Sequence, residues 1–237
     1  MKICYYKLDS VDSTNDWAKR HLSSFDADTL TVISADEQTA GHGRWGRPWV
    51  SPAKKNACLT LVLASDAKPF CLSQLTVIVL QKLLKWACID AEIKWPNDLL
   101  VDDRKISGIL LERFDAFTVI GIGLNINMSA FDIEQVPQKA TSMAVLCNKE
   151  FEVQKVIEHL VELFVKEYEA AVINGFQEVK KSWHEKVQWM LFRKVTVQTT
   201  SGPVAGHVKA LSADGSVLVE TQSGQIIDVQ SADTLRL

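Results

Sequence analysis

Between Phe117 and Asn127 the chain reads Phe-Thr-Val-Ile-Gly-Ile-Gly-Leu-Asn-Ile-Asn. Side chains on a β-strand point alternately to its two faces. Ile120, Ile122, Leu124 and Ile126 therefore share one face, and Gly121, Gly123, Asn125 and Asn127 share the other. The first face is ordinary core. The second is stripped of bulk and ends in amides, which suits a sheet on which a ligand lies flat. A bulge or a close helix contact would explain one glycine, but two glycines and an asparagine fit the ligand better. Such a strand demands a sheet with one face buried under helices and the other partly free.

The flanking sequence supplies those parts. Residues 2–8 alternate weakly as an entry strand, while Thr29–Ala35 and Ala57–Ala64 are β-branched, apolar strands. Leu72 to Ala87 carries apolar residues at helical spacing and predicts a helix covering a sheet. Glu92–Asp98 ends a strand in a turn, where Pro96 biases Trp95 towards an extended backbone. Two strands, Leu99–Val101 and Arg104–Phe114, follow across Asp102-Asp103, and Asp115-Ala116 turns the chain into the glycine strand. Residues 153–173 and Phe176–Val187 read as helices. From Met190 on, short alternating stretches are separated by Ser201-Gly-Pro, Ala213-Asp-Gly and Gln222-Ser-Gly, each a turn signal. The reading is an α+β fold: a mixed sheet covered by helices over residues 1–187, then a small β-barrel over residues 188–237.

Two stretches carry chemistry. In Asp36–Trp49, three glycines (Gly41, Gly43, Gly46) alternate with His42, Arg44 and Arg47, and Trp49 closes the run. Successive exposed N–H groups of such a loop form a concave anion site, the guanidinium forks suit phosphate or carboxylate, and an indole offers a stacking face. No Gly-Lys-Ser/Thr follows, so it is not a P-loop of the Walker type. Near the amino terminus, Asp9–Asn15 is dense in helix-capping residues ahead of a short helix through Trp17, Ala18 and His21. Ser13, Thr14 and Asn15 read as a cap, as part of a polar ligand site at a helix start, or as both.

Charge narrows the field. The formal net charge is −3 with a pI near 6.0, whereas a chain that coats nucleic acid is usually strongly basic. No nucleic-acid partner is expected, although a local basic cleft is compatible with that balance. Cys4, Cys58, Cys71, Cys88 and Cys147 are odd in number and scattered, so no zinc site or disulfide framework is expected. The amino terminus lacks a signal peptide's apolar run, and no segment reaches the roughly 18–20 apolar residues of a membrane span. The expected setting is a reduced cytoplasm, away from membranes. Apart from His42 the histidines are scattered and suggest no metal site.

Taken together, Ser13-Thr-Asn15, Gln38-Thr-Ala-Gly-His-Gly-Arg-Trp-Gly-Arg-Pro-Trp49, Lys94-Trp-Pro-Asn-Asp98, Lys105-Ile-Ser-Gly-Ile-Leu-Leu-Glu112 and Gly121-Ile-Gly-Leu-Asn-Ile-Asn127 occur in the order seen in biotin protein ligases. The chain resembles that family over nearly its whole length. The resemblance implies a class II synthetase-like biotin/lipoate ligase fold with an SH3-like C-terminal domain, in a monofunctional form without the DNA-binding domain of larger relatives. It implies a two-step reaction: biotin and ATP give biotinyl-5′-AMP and pyrophosphate, and biotin then passes to a lysine of a biotin carboxyl carrier protein, typically that of acetyl-CoA carboxylase.

The same resemblance distributes roles. Lys105 would contact the α-phosphate and the acyl oxygen, with Arg44 assisting it. Arg44 and Arg47 would bind phosphates and order the loop over the adenylate. Ser13, Thr14, Asn15, Gln38, Gly41, His42 and Gly43 would hold biotin, with Gly108 allowing close approach. Trp49 would stack on adenine, Asn125 would bond its edge, and Asn97 and Asp98 would border the nucleotide. Mg²⁺ would arrive with ATP and stay mostly on phosphates and water, near Asp98, with no firm protein ligands. Taken alone, Lys105 reads as a solvated strand-end lysine; inside Lys-x-x-Gly-Ile-Leu it reads as functional. Trp95 reads as packing beside Pro96.

The chain departs from the family where His42 replaces the usual arginine. A simple pleat also puts Lys105 and Gly108 on opposite faces, so both can touch one ligand only if a bulge lies near Ser107. Edge strands of the sheet would allow two copies to pair as a homodimer. The alternative readings are a lipoate or octanoate ligase or transferase of the same fold and, from another class, a non-catalytic small-acid-binding module.

Overall fold

A computed structural model describes residues 1–199, 202–212, 215–229 and 234–236. Seven strands form the main sheet: β1 (Lys2–Val11), β2 (Thr29–Gln38), β3 (Asn56–Ala64), β4 (Glu92–Lys94), β5 (Asp98–Val101), β6 (Arg104–Phe114) and β7 (Phe117–Asn125). Their spatial order is β1-β2-β3-β7-β6-β5-β4, parallel between β1 and β2 and antiparallel elsewhere. The expected glycine strand is therefore central, paired along its length with β3 and β6. Regular pairing stops at Asn125, two residues short of the expected Asn127. Beyond it, the Asn127 side chain brackets the backbone of Phe151 instead.

Alternation decides what lies on each side. Ile120, Ile122, Leu124 and Ile126 are buried in one apolar cluster with α2 (Pro69–Trp86), α5 (Val153–Asn174) and α6 (Gln177–Val187). The opposite face is covered less completely. There α1 (Thr14–Arg20) places Ala18 on Ile33, Val62 and Val119. Two short helices, α3 (Ala130–Glu134) and α4 (Met143–Cys147), follow β7; each is capped by a serine, Ser129 and Ser142. At five residues they fall below what apolar periodicity can reveal.

The tail forms a second antiparallel sheet from β8 (Lys194–Thr199), β9 (Gly202–Leu211), β10 (Val217–Thr221), β11 (Ile226–Val229) and β12 (Thr234–Arg236), ordered β11-β10-β9-β8-β12. Among the described residues no pairing closes β11 on β12 into a barrel. Of the turn signals, Gln222-Ser-Gly joins β10 to β11, whereas Ser201, Ala213 and Asp214 lie outside the described residues.

One apolar cluster runs through both sheets. Trp95, 1% exposed, fixes the junction by donating its indole N–H to the Gly215 carbonyl at 2.8 Å. Trp189 donates to the Ile93 carbonyl at 3.0 Å. Gly215 has φ +93°, and a Cβ there would overlap the Phe70 ring, so the tail approaches α2 through bare backbone. The packing role expected for Trp95 holds, and its partner is the tail. Trp95→Phe keeps most of the ring and leaves the Gly215 carbonyl without its donor. It is expected to cost about 1 kcal/mol of stability, read as a lower midpoint in urea unfolding.

Candidate active site

The site is built on three glycines. Gly123 lies opposite Gly108 on β6, and Gly121 lies two residues along the same face. A side chain of this chain stands over each. A Cβ on Gly121 would lie 2.4 Å from Asn15 Oδ1, and one on Gly123 would lie 2.4 Å from the Trp49 ring. On Gly108 it would lie 2.9 Å from Lys105 Cε and Nζ. The open face expected to carry a flat ligand is thus filled from within the chain. The missing side chains admit a polar wall, an indole and a lysine.

Lys105 reaches Gly108 through a register shift. Leu99 pairs with Ser107 but Leu100 pairs with Lys105, leaving Ile106 as the extra residue. The bulge required near Ser107 lies one residue earlier, and it turns Lys105 onto the face of Gly108. Its backbone N–H donates to the Lys139 carbonyl at 3.0 Å and its carbonyl accepts from Thr141 N at 2.9 Å. Its ammonium lies 2.8 Å from Asp98 Oδ1, with both side chains mostly covered. It also stands 5.5 Å from the centre of the Trp49 ring.

A hydrogen-bonded network lines the first cavity. Ser13 caps α1 as its sequence predicts, accepting from Asp16 N at 3.4 Å. Gln38 Oε1 accepts from Thr14 N at 2.8 Å and from the Thr14 hydroxyl at 3.0 Å. Thr60 Oγ1 lies 2.8 Å from Thr14 Oγ1 and 2.7 Å from Asn15 Oδ1. Asn15 Nδ2 donates to Glu112 Oε2 at 3.1 Å, and Lys19 bridges Glu112 and Asp16 at 3.0 and 2.7 Å. Partial burial disfavours the Asp16 carboxylate, but hydrogen bonds from Lys19 and His42 outweigh it and lower its pKa. Ser13, Thr14, Asn15, Gln38, His42 and Gly108 all border this cleft. Sequence reasoning missed Thr60, Asp16 and Lys19; Thr60 stood in the strand register, as the residue opposite Gly121.

The glycine-arginine loop is a small hairpin. Gly43 N donates to the Arg47 carbonyl and Trp49 N to the Gly41 carbonyl, each at 2.8 Å, with Arg44-Trp45-Gly46 at the tip. Gly41 has no room for a side chain, since a Cβ would lie 2.7 Å from Gln38 Nε2. The His42 ring turns inward, with Nε2 3.0 Å from Asp16 Oδ2. At this position the chain therefore ties the loop to α1 through an imidazole. Arg44 reaches a second pocket, beside Phe70, Pro96, Asn97 and Leu111.

The far end of the loop is clamped. Asn127 N donates to the Lys55 carbonyl at 2.7 Å, and Lys55 Nζ lies 2.7 Å from Asp132 Oδ2. Partial burial opposes ionisation of Asp132, but hydrogen bonds from Lys55 and Ser129 outweigh it and hold the carboxyl at about 2. The folded-state pKa lies below the unfolded one, so this clamp contributes stability above about pH 4 and loses it as pH falls towards about 2. Asp132→Asn is expected to flatten that part of an acid-unfolding curve followed by tryptophan fluorescence.

Trp49 separates the cleft from a smaller cavity bordered by Val50, Lys105, Asn125, Val136 and Gln138. Asn125 is 4% exposed; its Nδ2 donates to the Thr141 carbonyl at 3.0 Å, and its Oδ1 lies 3.4 Å from Asn56 Nδ2. The Trp49 indole N–H is buried without a partner. Asn97 is a structural bracket, its amide donating to the Ile109 carbonyl while its own carbonyl accepts from Ile109 N. Lys105 borders the smaller cavity and stands against Gly108, which lines the first cleft. No group of three or more His, Cys, Asp and Glu side chains placed to hold a metal occurs among the described residues, and no described helix is long and apolar enough to cross a membrane.

A helix-backed mixed sheet thus carries a polar cleft and a smaller cavity on either side of one indole, with a carboxylate-paired lysine beside them. The chain belongs to the biotin/lipoate A/B protein ligase family, whose model matches residues 8–127. It is 32% identical over 235 residues to the bifunctional ligase/repressor BirA of Bacillus spizizenii, covering 95% of this chain and 71% of that protein. It is 27% identical over 231 residues to the biotin–[acetyl-CoA-carboxylase] ligase of Paracoccus denitrificans, covering 92% and 95%. The structure of the biotin protein ligase from Aquifex aeolicus in complex with biotin and ATP matches with a TM-score of 0.81 at 25% identity, over 99% of this chain and 98% of that one.

Proposed function

We propose that this protein activates biotin with ATP and transfers it to a lysine of a biotin carboxyl carrier domain. The observation that carries the reading is the placing of Lys105 beside the smaller cavity and against Gly108 of the first cleft. We assign biotin to the cleft lined by Thr14, Asn15, Gln38 and Gly108, and the adenosine to the other side of Trp49, beside Lys105 and Asn125. The biotin carboxylate attacks the α-phosphorus, the bond to the bridging oxygen breaks, and pyrophosphate leaves. Two anions approach in this step, so a fixed cation beside the new bond lowers its barrier. Lys105, aimed by Asp98, supplies it. In the second step an acceptor amine attacks the acyl carbon, an amide forms, AMP leaves and a proton is released.

Around that centre, Arg44 and Arg47 bind phosphate oxygens when the hairpin folds over the nucleotide and excludes water from the mixed anhydride. Mg²⁺ travels on the phosphates. Asp98, the carboxylate beside Lys105, fits an outer contact to it through water. We place the boundary of the catalytic unit at residue 187, with the tail docked through Trp95. Nucleic acid is not among the proposed partners, given a net charge of −3.

The test mixes the protein with MgATP and biotin, lipoate or octanoate in turn and measures pyrophosphate release, then label transfer to an apo-carrier domain. Release and transfer with biotin are expected. Equal activity with lipoate would replace this reading with that of a lipoate ligase.

A further inference from the structure

The strand that carries Lys105 also carries Glu112, a carboxylate that the proposed chemistry does not use. Its Oε2 accepts from Asn15 Nδ2 at 3.1 Å, and its Oε1 lies 3.0 Å from Lys19 Nζ. A carboxylate can only accept hydrogen bonds, and the same holds for the Leu110 carbonyl, 3.4 Å from the same nitrogen. Both therefore hold the Asn15 amide one way round, with its nitrogen on Glu112 and its oxygen on Thr60.

That orientation limits the protons this wall of the cleft can offer. Thr14, Asn15 and Thr60 are all buried. Three short contacts between oxygens join them to Gln38: Asn15 Oδ1 to Thr60 Oγ1 at 2.7 Å, Thr60 Oγ1 to Thr14 Oγ1 at 2.8 Å, and Thr14 Oγ1 to Gln38 Oε1 at 3.0 Å. Each hydroxyl brings one proton and the amide oxygens bring none, so two protons serve three contacts. None is left over for a ligand. The Thr14 backbone N–H, 2.8 Å from Gln38 Oε1, keeps that oxygen inward as well. What this stretch of wall can still make is a bond to an incoming N–H.

Resting on the ligase reading, we infer that Glu112 is a positioning residue that sets the hydrogen-bond polarity of the cleft. By orienting Asn15 it commits the Thr14 hydroxyl to accepting from an N–H of biotin's cyclic urea. Lys19 enforces the arrangement. In Glu112→Gln the Lys19 ammonium attracts the glutamine oxygen and leaves the glutamine nitrogen facing that of Asn15. Turning the Asn15 amide relieves the conflict, brings an N–H to Thr60 and frees one hydroxyl proton for the cleft.

The experiment uses the full chain, Glu112→Gln, and Glu112→Gln combined with Lys19→Met. The probes are biotin and its two cyclic carbamate analogues, each with one ring N–H replaced by oxygen, with dissociation constants read by calorimetry. The parent is expected to bind one carbamate about a hundredfold or more weaker than biotin. In Glu112→Gln, biotin binding is expected to weaken about tenfold or more, while its advantage over that carbamate narrows about tenfold. The KM for ATP should stay within about twofold. Adding Lys19→Met lets the glutamine turn its oxygen back to Asn15, so the double variant should bind biotin more tightly than Glu112→Gln. Loss of packing alone would weaken biotin and carbamate alike, so an unchanged preference in Glu112→Gln would overturn the inference. So would a double variant no tighter than Glu112→Gln, or a parent that binds biotin and both carbamates equally. Pyrophosphate release by the parent with biotin and MgATP tests the ligase reading by itself, so the two failures are told apart.

Discussion

Lys105→Ala is expected to lower biotin-dependent pyrophosphate release by about 10²–10³-fold, the usual consequence of removing one preorganised group that stabilises transition-state charge. The ammonium sits 2.8 Å from Asp98, mostly covered, on a bulged strand whose backbone is held on both sides. It therefore needs little rearrangement when charge develops on the phosphorus and acyl oxygens. The alanine variant also leaves Asp98 without its counter-ion, so thermal unfolding must be measured beside the rate. Lys105→Arg retains the charge and is expected to recover only part of the activity, because a planar fork does not occupy the position of a point charge. Full activity in the alanine variant would remove Lys105 from the mechanism.

Gly121→Ala and Gly123→Ala are expected to damage the site in different ways. Each added methyl would lie 2.4 Å from an atom of the site wall, Asn15 Oδ1 in one case and the Trp49 ring in the other. A contact that short forces the neighbour to move, and overpacking of this kind costs about 1–3 kcal/mol. In Gly121→Ala the displaced amide loses Thr60 and Glu112, so the KM for biotin should rise about tenfold or more while that for ATP changes little. In Gly123→Ala the displaced indole borders both cavities, so both constants should rise. Steady-state titration of each substrate at saturating levels of the other separates the outcomes. Equal constants in parent and variants would mean that the ring and amide shift without cost.

Much of this was legible in the residues. The two-residue period of Phe117–Asn127 identified the core face of the central strand, because burial on a strand follows the pleat directly. The capping role of Ser13 followed from its side-chain chemistry. The bulge in β6 was required by the demand that Lys105 and Gly108 share a face, and it occurs at Ile106. Other features were not legible for definite reasons. Thr60 and Lys19 join the network through strand pairing and helix docking, which a linear reading does not contain. The glycines announced empty space correctly but not its occupant, since a missing Cβ accepts a ligand or an indole alike. Likewise Asn97 carries the composition of a turn, and its commitment to Ile109 depends on where β6 passes.

The shared indole has a thermodynamic consequence. Because Trp49 is at once a wall of the cleft to which we assign biotin and of the cavity to which we assign adenosine, any tilt of the ring that tightens one compartment reshapes the other. Linkage then makes the effect mutual: the factor by which bound biotin alters the dissociation constant of the nucleotide equals the factor by which the nucleotide alters that of biotin.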